Sequence, residues 1–422
     1  MAQIFVGTNN INLLSPNGQF GTRIQGGEDA SSPRYIYTMI SKLTRLIYKE
    51  EDIPILNYLD EDGLSIEPDY YVPIITMVLV NVAIGIGTGY STNVPQYNPE
   101  DIINIYLNII QDVELSIGSI LTQDDIGKVY EKLQMKEFEI IEPYYLGFKG
   151  TIYKNDKGNY QSKGVYKWID NNTIEITELP IGTWTENYKE GLEEMITKGH
   201  TILKSFESHY TSKNVKFILK LVENAKETLN DEKILNEFKL VSSKNLSLNN
   251  LHLFTTSGNI MKYENIQEIM LQWCYTRIWK YYERKEKQLK TMEDEYLILS
   301  NKIRFIIDVI EGNIVIMNKK LKDVEEQLIK RDYNKFEDSY NYLLQMPIYQ
   351  LTTEKKENLE KEVHKLKKEI DELREMSIMM IWKKELTVLL EEWKKFKTEI
   401  LEDYENDLKG NTKIVKKTKG KK

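Results

Sequence analysis

Between Glu264 and Glu311 the chain contains neither proline nor glycine, the two residues that most readily end a helix. Apolar side chains recur there at steps of three and four, as at Ile266, Ile269, Met270 and Trp273. A second run, 353–408, repeats the pattern through Leu359, Val363, Leu366, Ile370 and Leu373, flanked by Lys and Glu. This spacing predicts two long helices with a coiled-coil stripe. Each extends roughly 70–80 Å if continuous, at 1.5 Å per residue. Between them, 313–352, which contains "LLQMPIYQLT", reads as a smaller helical unit. Two long helices with a small domain at their far end make an antiparallel hairpin arm. Such an arm presents its tip to a partner, often a second copy of the same chain; a plain helical bundle is the competing reading.

The rest of the chain reads as two further units. Residues 1–97 mix glycine-containing turns with apolar runs such as "VPIITMVLVNVAIGIGTGY", a compact α/β or winged-helix-like pattern. Pro95 and "NPED" at 98–101 mark a boundary, with Asn98 as helix N-cap and Pro99 at the first helical position. From 148 to 260 short alternating runs, among them "VYKWID", "TIEITELP" and "VKFILKLV", predict an α+β domain with an antiparallel sheet. The fold class is therefore α+β and multidomain, as suits 422 residues.

Composition removes several classes of function. No run of eighteen apolar residues exists, so no membrane-spanning helix is expected. The opening "MAQIFVGTNN" has neither the basic nor the apolar region of a signal peptide. The single cysteine, Cys274, argues against a disulfide framework and a cysteine zinc site, and suits a reducing compartment. A net charge of −8 argues weakly against nucleic acid, yet residues 409–422 carry seven lysines and no acid. That tail reads either as a disordered, solubilising end or as a localisation signal or phosphate-binding arm.

Several motif matches fail. "GIGTGY" at 85–90 lacks the Lys-Ser/Thr of a phosphate loop and the strand–helix context of a dinucleotide site. "DEDG" at 60–63 sits among turn residues with no partner carboxylate at fixed spacing, and reads as a solvated loop. His200, His209, His252 and His364 are scattered without metal-ligand spacing. That leaves Arg34-Tyr35, which follows glycines at 18, 21, 26 and 27. A phenol with a pKa of roughly 10 is a poor nucleophile at neutral pH unless a cation or metal stabilises the phenolate. An adjacent guanidinium supplies fixed charge and a fork suited to a phosphodiester, and the glycines would let the backbone pass close to a polyanion, with Arg23 beside it. From these residues alone a buried structural tyrosine and a nucleophile both stand.

The segment "NNINLLSPNGQFGTRIQGGEDASSPRYIYTMISKL" resembles the active-tyrosine segment of the eukaryotic-type (including large-DNA-virus) type IIA DNA topoisomerases. "PDYYVPIITMVLVNVAIGIGTGYST", "FKGTI", "ITELPIGTWTENYKE", "YTRIWKYYERK", "KIRFIIDVIEGNIVIMNKK" and "YLLQMPIYQLTTEKKENL" are similar to further blocks of that family, in order and over nearly the whole chain. The resemblance implies a partial winged-helix domain at 1–97, a tower domain at 98–262 and a coiled-coil arm at 263–408. It also implies an exit-gate dimerisation domain near 313–352, holding Met346 and Pro347, and a disordered tail at 409–422. It implies that Tyr35 attacks a DNA phosphodiester and becomes joined to the 5′ phosphate while Arg34 holds the scissile group. Two tyrosines of a homodimer then cut both strands of double-stranded DNA, a second duplex passes, and the break reseals. By the same resemblance Arg23 and Lys149 contact DNA, and Ile86 wedges between base pairs.

Mg²⁺ and ATP are implied as cofactors of the family, with the toprim and ATPase domains that bind them missing from this sequence. Either a separate ATPase-toprim polypeptide supplies them as a partner or the sequence is a truncated reading frame; no membrane is expected, and the setting is nucleus or cytoplasm, including a viral factory. Departures from the family pattern fall at Glu28, where a lysine is usual, and at Val82, Ile84 and Tyr90. A non-catalytic DNA-binding or dimerisation module that keeps the scaffold is the alternative.

Overall fold

The computed structural model describes residues 1–118, 122–134, 139–347 and 353–409. The lysine-rich stretch 410–422, and 348–352 at the end of the expected small helical unit, lie outside the described residues. The chain divides into two compact units. One comprises Met1–Gly118, Ile126–Arg277 and the chain from Trp382 onward; the other comprises Ser119–Asp125 and Ile278–Ile381.

The first unit opens with three two-stranded antiparallel ladders. Strand β1 (Leu14–Asn17) pairs with β2 (Tyr37–Ile40), and helix α1 (Lys42–Ile47) follows. Strands β3 (Tyr58–Glu61) and β4 (Leu64–Pro68) form the second ladder; the short α2 (Met77–Val80) leads into the third, β5 (Ala83–Ile86) with β6 (Ser91–Val94). Helix α3 (Pro99–Ile117) starts where the sequence places its cap, with Asn98 Oδ1 accepting the Glu100 N–H at 3.2 Å.

After α4 (Gln123–Gln134) come β7 (Thr151–Lys154), β8 (Tyr160–Lys163), β9 (Val165–Asp170), β10 (Thr173–Glu178) and α5 (Thr185–Thr197). Then follow β11 (Leu203–Ser208), β12 (Phe217–Leu221), α6 (Ala225–Thr228), α7 (Asp231–Glu237), β13 (Val241–Ser242), β14 (His252–Phe254) and β15 (Ile260–Lys262). The expected antiparallel sheet is four-stranded, in the order β11-β12-β10-β9, beside a three-stranded sheet β13-β8-β7 and the β14-β15 hairpin. Period-two alternation fixes its buried face: Phe217, Leu219 and Leu221 of β12 join Ile174 and Ile176 of β10 in one core. Tyr188 and Leu192 of α5 and Ile234 of α7 complete that core.

Helix α8 (Ile266–Ile310) is a single 45-residue helix, as the absence of proline and glycine predicts. Helices α9 (Leu321–Lys330) and α10 (Asn341–Leu344) follow it. In the second unit Phe305, Ile314, Leu328, Tyr333, Tyr340 and Leu343 form a separate small core. Asp308 sits at its edge, accepting from the Tyr333 hydroxyl at 2.9 Å and from Arg331 at 3.1 Å.

The second long run departs from expectation. It is two helices, α11 (Thr353–Glu375) and α12 (Ile378–Leu408), broken at Met376 and Ser377. Two sets of hydrogen bonds hold the break. Ser377 Oγ accepts the Met380 N–H at 3.1 Å and so starts α12. Buried Lys285 donates to the carbonyls of Arg374 (2.9 Å) and Met376 (2.7 Å), satisfying the open C-terminus of α11. Burial pushes the pKa of that ammonium down.

Within the first unit α12 contributes Trp382, Leu386, Leu389 and Trp393, all fully buried. Their steps of four, three and four keep one helical face inward. Trp382 Nε1 donates to the Ile74 carbonyl at 2.9 Å, and its ring centroid lies 5.1 Å from that of Tyr106. Trp382→Ala removes both contacts and is expected to lower the unfolding free energy of this unit by about 3–5 kcal/mol. A urea transition that stays at the wild-type midpoint would contradict that packing role.

Candidate functional site

Tyr35 is the last residue of a single 3-10 turn, Pro33–Tyr35, in which its N–H donates to the Ser32 carbonyl at 2.9 Å. Proline at the first position fixes the backbone angle for such a turn. Strand β2 begins two residues later, so the phenol leaves the chain between a tight turn and an extended segment. The side chain is 67 % exposed. The reading of a buried structural tyrosine is therefore set aside. Arg34 is exposed too, its guanidinium carbon 5.4 Å from the centre of the Tyr35 ring. An exposed phenol and a fixed positive charge thus share one small surface.

The loop that delivers this pair is tied down internally. Asp29 accepts from the Thr22 N–H at 2.7 Å, the Thr22 hydroxyl at 2.6 Å and Gln19 Nε2 at 3.3 Å. Burial alone would raise the pKa of this carboxyl; the Thr22 donors outweigh it and hold it below the usual range. The glycines serve packing rather than an approach to a polyanion. A Cβ on Gly21 would lie 2.4 Å from Gly27 Cα, and one on Gly26 (φ +67°) would lie 2.2 Å from the Trp184 indole nitrogen. The Arg23 and Ile24 carbonyls accept the first N–H groups of α5, from Thr185 at 3.4 Å and Glu186 at 3.0 Å.

Arg23 is a correction to the sequence reading. Expected beside a bound polyanion, it is 4 % exposed and its guanidinium is paired with Glu178 at the end of β10. The Glu178 carboxylate also accepts the Leu179 N–H at 2.9 Å and the Lys149 N–H at 3.1 Å. The pair is therefore fully dressed with hydrogen bonds, the condition under which a buried charge is tolerated. Lys149 borders it, with Nζ on Asn214 Oδ1 at 2.8 Å. Burial pushes the Lys149 pKa down against the pull of Glu178. So Arg34 joins Tyr35, while Arg23 and Lys149 gather around Glu178.

Ile86 stands at the tip of the β5–β6 hairpin and is 92 % exposed, an unusual state for an isoleucine. The turn beyond it is closed by the Gly87 N–H on the Tyr90 carbonyl at 2.7 Å, with Gly89 at φ +79°. Asn250 steadies the hairpin, accepting the Asn93 N–H at 2.9 Å and donating to Ser91 Oγ at 2.7 Å. Val82 and Ile84, also exposed, lie at two-residue steps from Ile86 and so share its strand face. The sequence reading treated those two positions as departures and missed the stripe; the alternation in "VAIGI" was its signal. Among the described residues no group of three or more His, Cys, Asp or Glu is placed to hold a metal ion, so the residues present do not form a site for Mg²⁺.

A family model that describes the A subunit of DNA gyrase/topoisomerase IV matches residues 1–387. The chain is similar to DNA topoisomerase 2 of Plasmodium falciparum (isolate K1 / Thailand), 35 % identical over 421 residues, covering 92 % of this chain and 28 % of the relative. It is similar to DNA topoisomerase 2-alpha of Gallus gallus, 37 % identical over 423 residues, covering 93 % and 26 %. Among solved structures, the Plasmodium falciparum topoisomerase II DNA-binding, cleavage and re-ligation domain matches with a TM-score of 0.79 and 34 % identity, over 98 % of this chain and 55 % of that one. The chain thus spans about a quarter of the length of these curated relatives.

The buried pair makes a stability prediction. Glu178→Leu or Arg23→Met alone strands one charge and is expected to cost about 3–5 kcal/mol, whereas the double variant recovers most of the loss. Additive losses in thermal or urea unfolding would rule out the pairing.

Proposed function

We propose, from the premise that the chain belongs to the DNA gyrase/topoisomerase IV A-subunit family, that it is the breakage-reunion part of a type IIA DNA topoisomerase with Tyr35 as nucleophile. The observation that carries this reading is the exposed Tyr35 phenol beside the Arg34 guanidinium. In the step proposed, Tyr35 Oη attacks a DNA phosphorus and gives up its proton as the new bond forms. The bond to the 3′ oxygen breaks, leaving a 5′-phosphotyrosyl link and a 3′ hydroxyl. The reverse attack by that hydroxyl restores the strand and frees the phenol. Because the phosphodiester energy is kept in the link, no hydrolysis is needed to reseal.

The Arg34 guanidinium would stabilise the extra negative charge on the pentacoordinate phosphorus. Ile86 would enter the base stack; unstacking costs a few kcal/mol per step and is offset by the contacts of a bent duplex. On this reading 1–97 is a winged-helix domain, 98–262 a tower that flanks the bent DNA, and 263–408 a coiled-coil arm whose 313–352 segment dimerises two copies. Two such chains would supply the two tyrosines of a double-strand break. Mg²⁺ and ATP would be held by the toprim and ATPase parts of the assembled enzyme, in a nuclear or cytoplasmic setting.

The competing reading, a DNA-binding or dimerisation module without chemistry, draws on the lack of a metal cluster among the described residues. Tyr35→Phe separates the two. With duplex DNA, Mg²⁺ and an ATPase-toprim polypeptide, the wild-type chain is expected to give a denaturant-resistant protein–DNA adduct that the Phe variant cannot form. An adduct that survives in Tyr35→Phe removes this tyrosine from the chemistry. Arg34→Gln is expected to lower cleavage about 10²–10³-fold with the tyrosine intact. Ile86→Ala should reduce duplex bending, read by energy transfer between the DNA ends, and an unchanged angle would refute the wedge.

A further inference from the structure

The first unit contains a cavity of about 820 Å³ that none of the roles above uses. It lies among the end of α1, the chain from Asp69 to Val78, the β14–β15 hairpin and the opening turns of α8. Its size falls within the roughly 300–1,000 Å³ typical of small-molecule sites. Aromatic rings dominate the lining: Tyr48, Tyr70, Tyr71, Phe254, Tyr263 and Trp273. Two of them stand at the surface, Phe254 at 72 % and Tyr71 at 57 % exposure. Tyr48 and Tyr71 meet edge to face with centroids 5.9 Å apart. Burial, then the neighbouring Tyr71, pushes the Tyr48 hydroxyl up to about 12. That ring therefore stays neutral across the ordinary pH range.

The electrostatics of the lining are one-sided. No Lys, Arg or His is among the described lining residues, and their only charged side chain is Asp69. Among the described residues no cation pairs with that carboxylate. The β3–β4 hairpin just before it adds Asp60, Glu61, Asp62 and Glu67 without a basic residue. Aromatic rings together with a carboxylate attract a positive charge that is poorly hydrated, the chemistry by which aromatic cages hold quaternary ammonium groups.

We propose that this cavity binds an organic cation: an ammonium group seated against the Tyr71 and Phe254 rings near Asp69. Acetylcholine carries such a group and serves as the probe. Its carbon isostere, 3,3-dimethylbutyl acetate, keeps the shape and the ester but lacks the charge. Titration calorimetry on the full chain is expected to show saturable millimolar binding of acetylcholine, about five- to tenfold tighter than the isostere. Phe254→Ala should weaken the cation several-fold, and Asp69→Asn should narrow its advantage over the isostere. Both side chains are exposed, so the fold does not rest on them. Equal affinity for the two probes, no saturable binding of acetylcholine, wild-type affinity in Phe254→Ala or an undiminished advantage in Asp69→Asn overturns the proposal. Because none of these readouts involves DNA, failure here leaves the role of Tyr35 unaffected, and the reverse also holds.

Discussion

An ion pair with almost no solvent, Arg23 with Glu178, fixes where the Tyr35 loop can go. Removing two charges from water costs several kcal/mol per ion, so the pair persists only because the carboxylate also receives the Leu179 and Lys149 amides. Its second consequence is geometric. Glu178 closes strand β10 of the four-stranded sheet, and Arg23 thereby ties the loop to that sheet. The Gly26–Trp184 contact and the caps on α5 restrain the same loop from another side. With its middle held inward, the loop has its free end at the 3-10 turn, and there the phenol emerges.

A similar inversion recurs at a few positions, where a charge is drawn in or an apolar side chain is put out. Arg277 is wholly buried against Asp52 and the Val72 carbonyl, and Lys285 ends a helix from the inside. Meanwhile all four residues of β2, Tyr37, Thr38, Met39 and Ile40, are exposed, as is Ile86. Cations held inside by several acceptors are rigid and make poor surface ligands. Exposed rings and aliphatic side chains gain free energy only when something covers them. In a stable unit this arrangement marks surfaces organised for contact, consistent with the proposed encounter of Tyr35 and Ile86 with a large ligand.

Local features were legible in the sequence because their causes are local. The Asn98 cap, the Pro- and Gly-free α8 and the alternating strands of the sheet each depend on neighbours a few residues away. Arg23 was misread because its partner lies 155 residues on, and an arginine beside glycines looks ligand-facing without it. The break between α11 and α12 was hidden for a similar reason: the ammonium that stabilises it comes from Lys285, about 90 residues earlier. The glycines were recognised as necessary, but the Trp184 ring that Gly26 accommodates was invisible. The aromatic cavity is likewise assembled from stretches some 200 residues apart. The family resemblance therefore singled out the nucleophile candidate, while packing decided what surrounds it.

Charge placement limits how such a site could hold a polyanion. From Glu50 through Gly127 the chain has no lysine or arginine, and this stretch includes the hairpin that bears Ile86. Of the five cations before it, Arg23 is committed to Glu178 and Lys42 is bridged to Glu392. Binding that depends on phosphate neutralisation weakens steeply with salt in proportion to the number of contacts. Few free cations in this region mean few such contacts. On the proposed reading, insertion of Ile86 supplies affinity that salt does not screen, because apolar burial carries no Coulomb term. Arg34 is then left to act mainly on the one phosphate that reacts, where a single well-aimed charge contributes most.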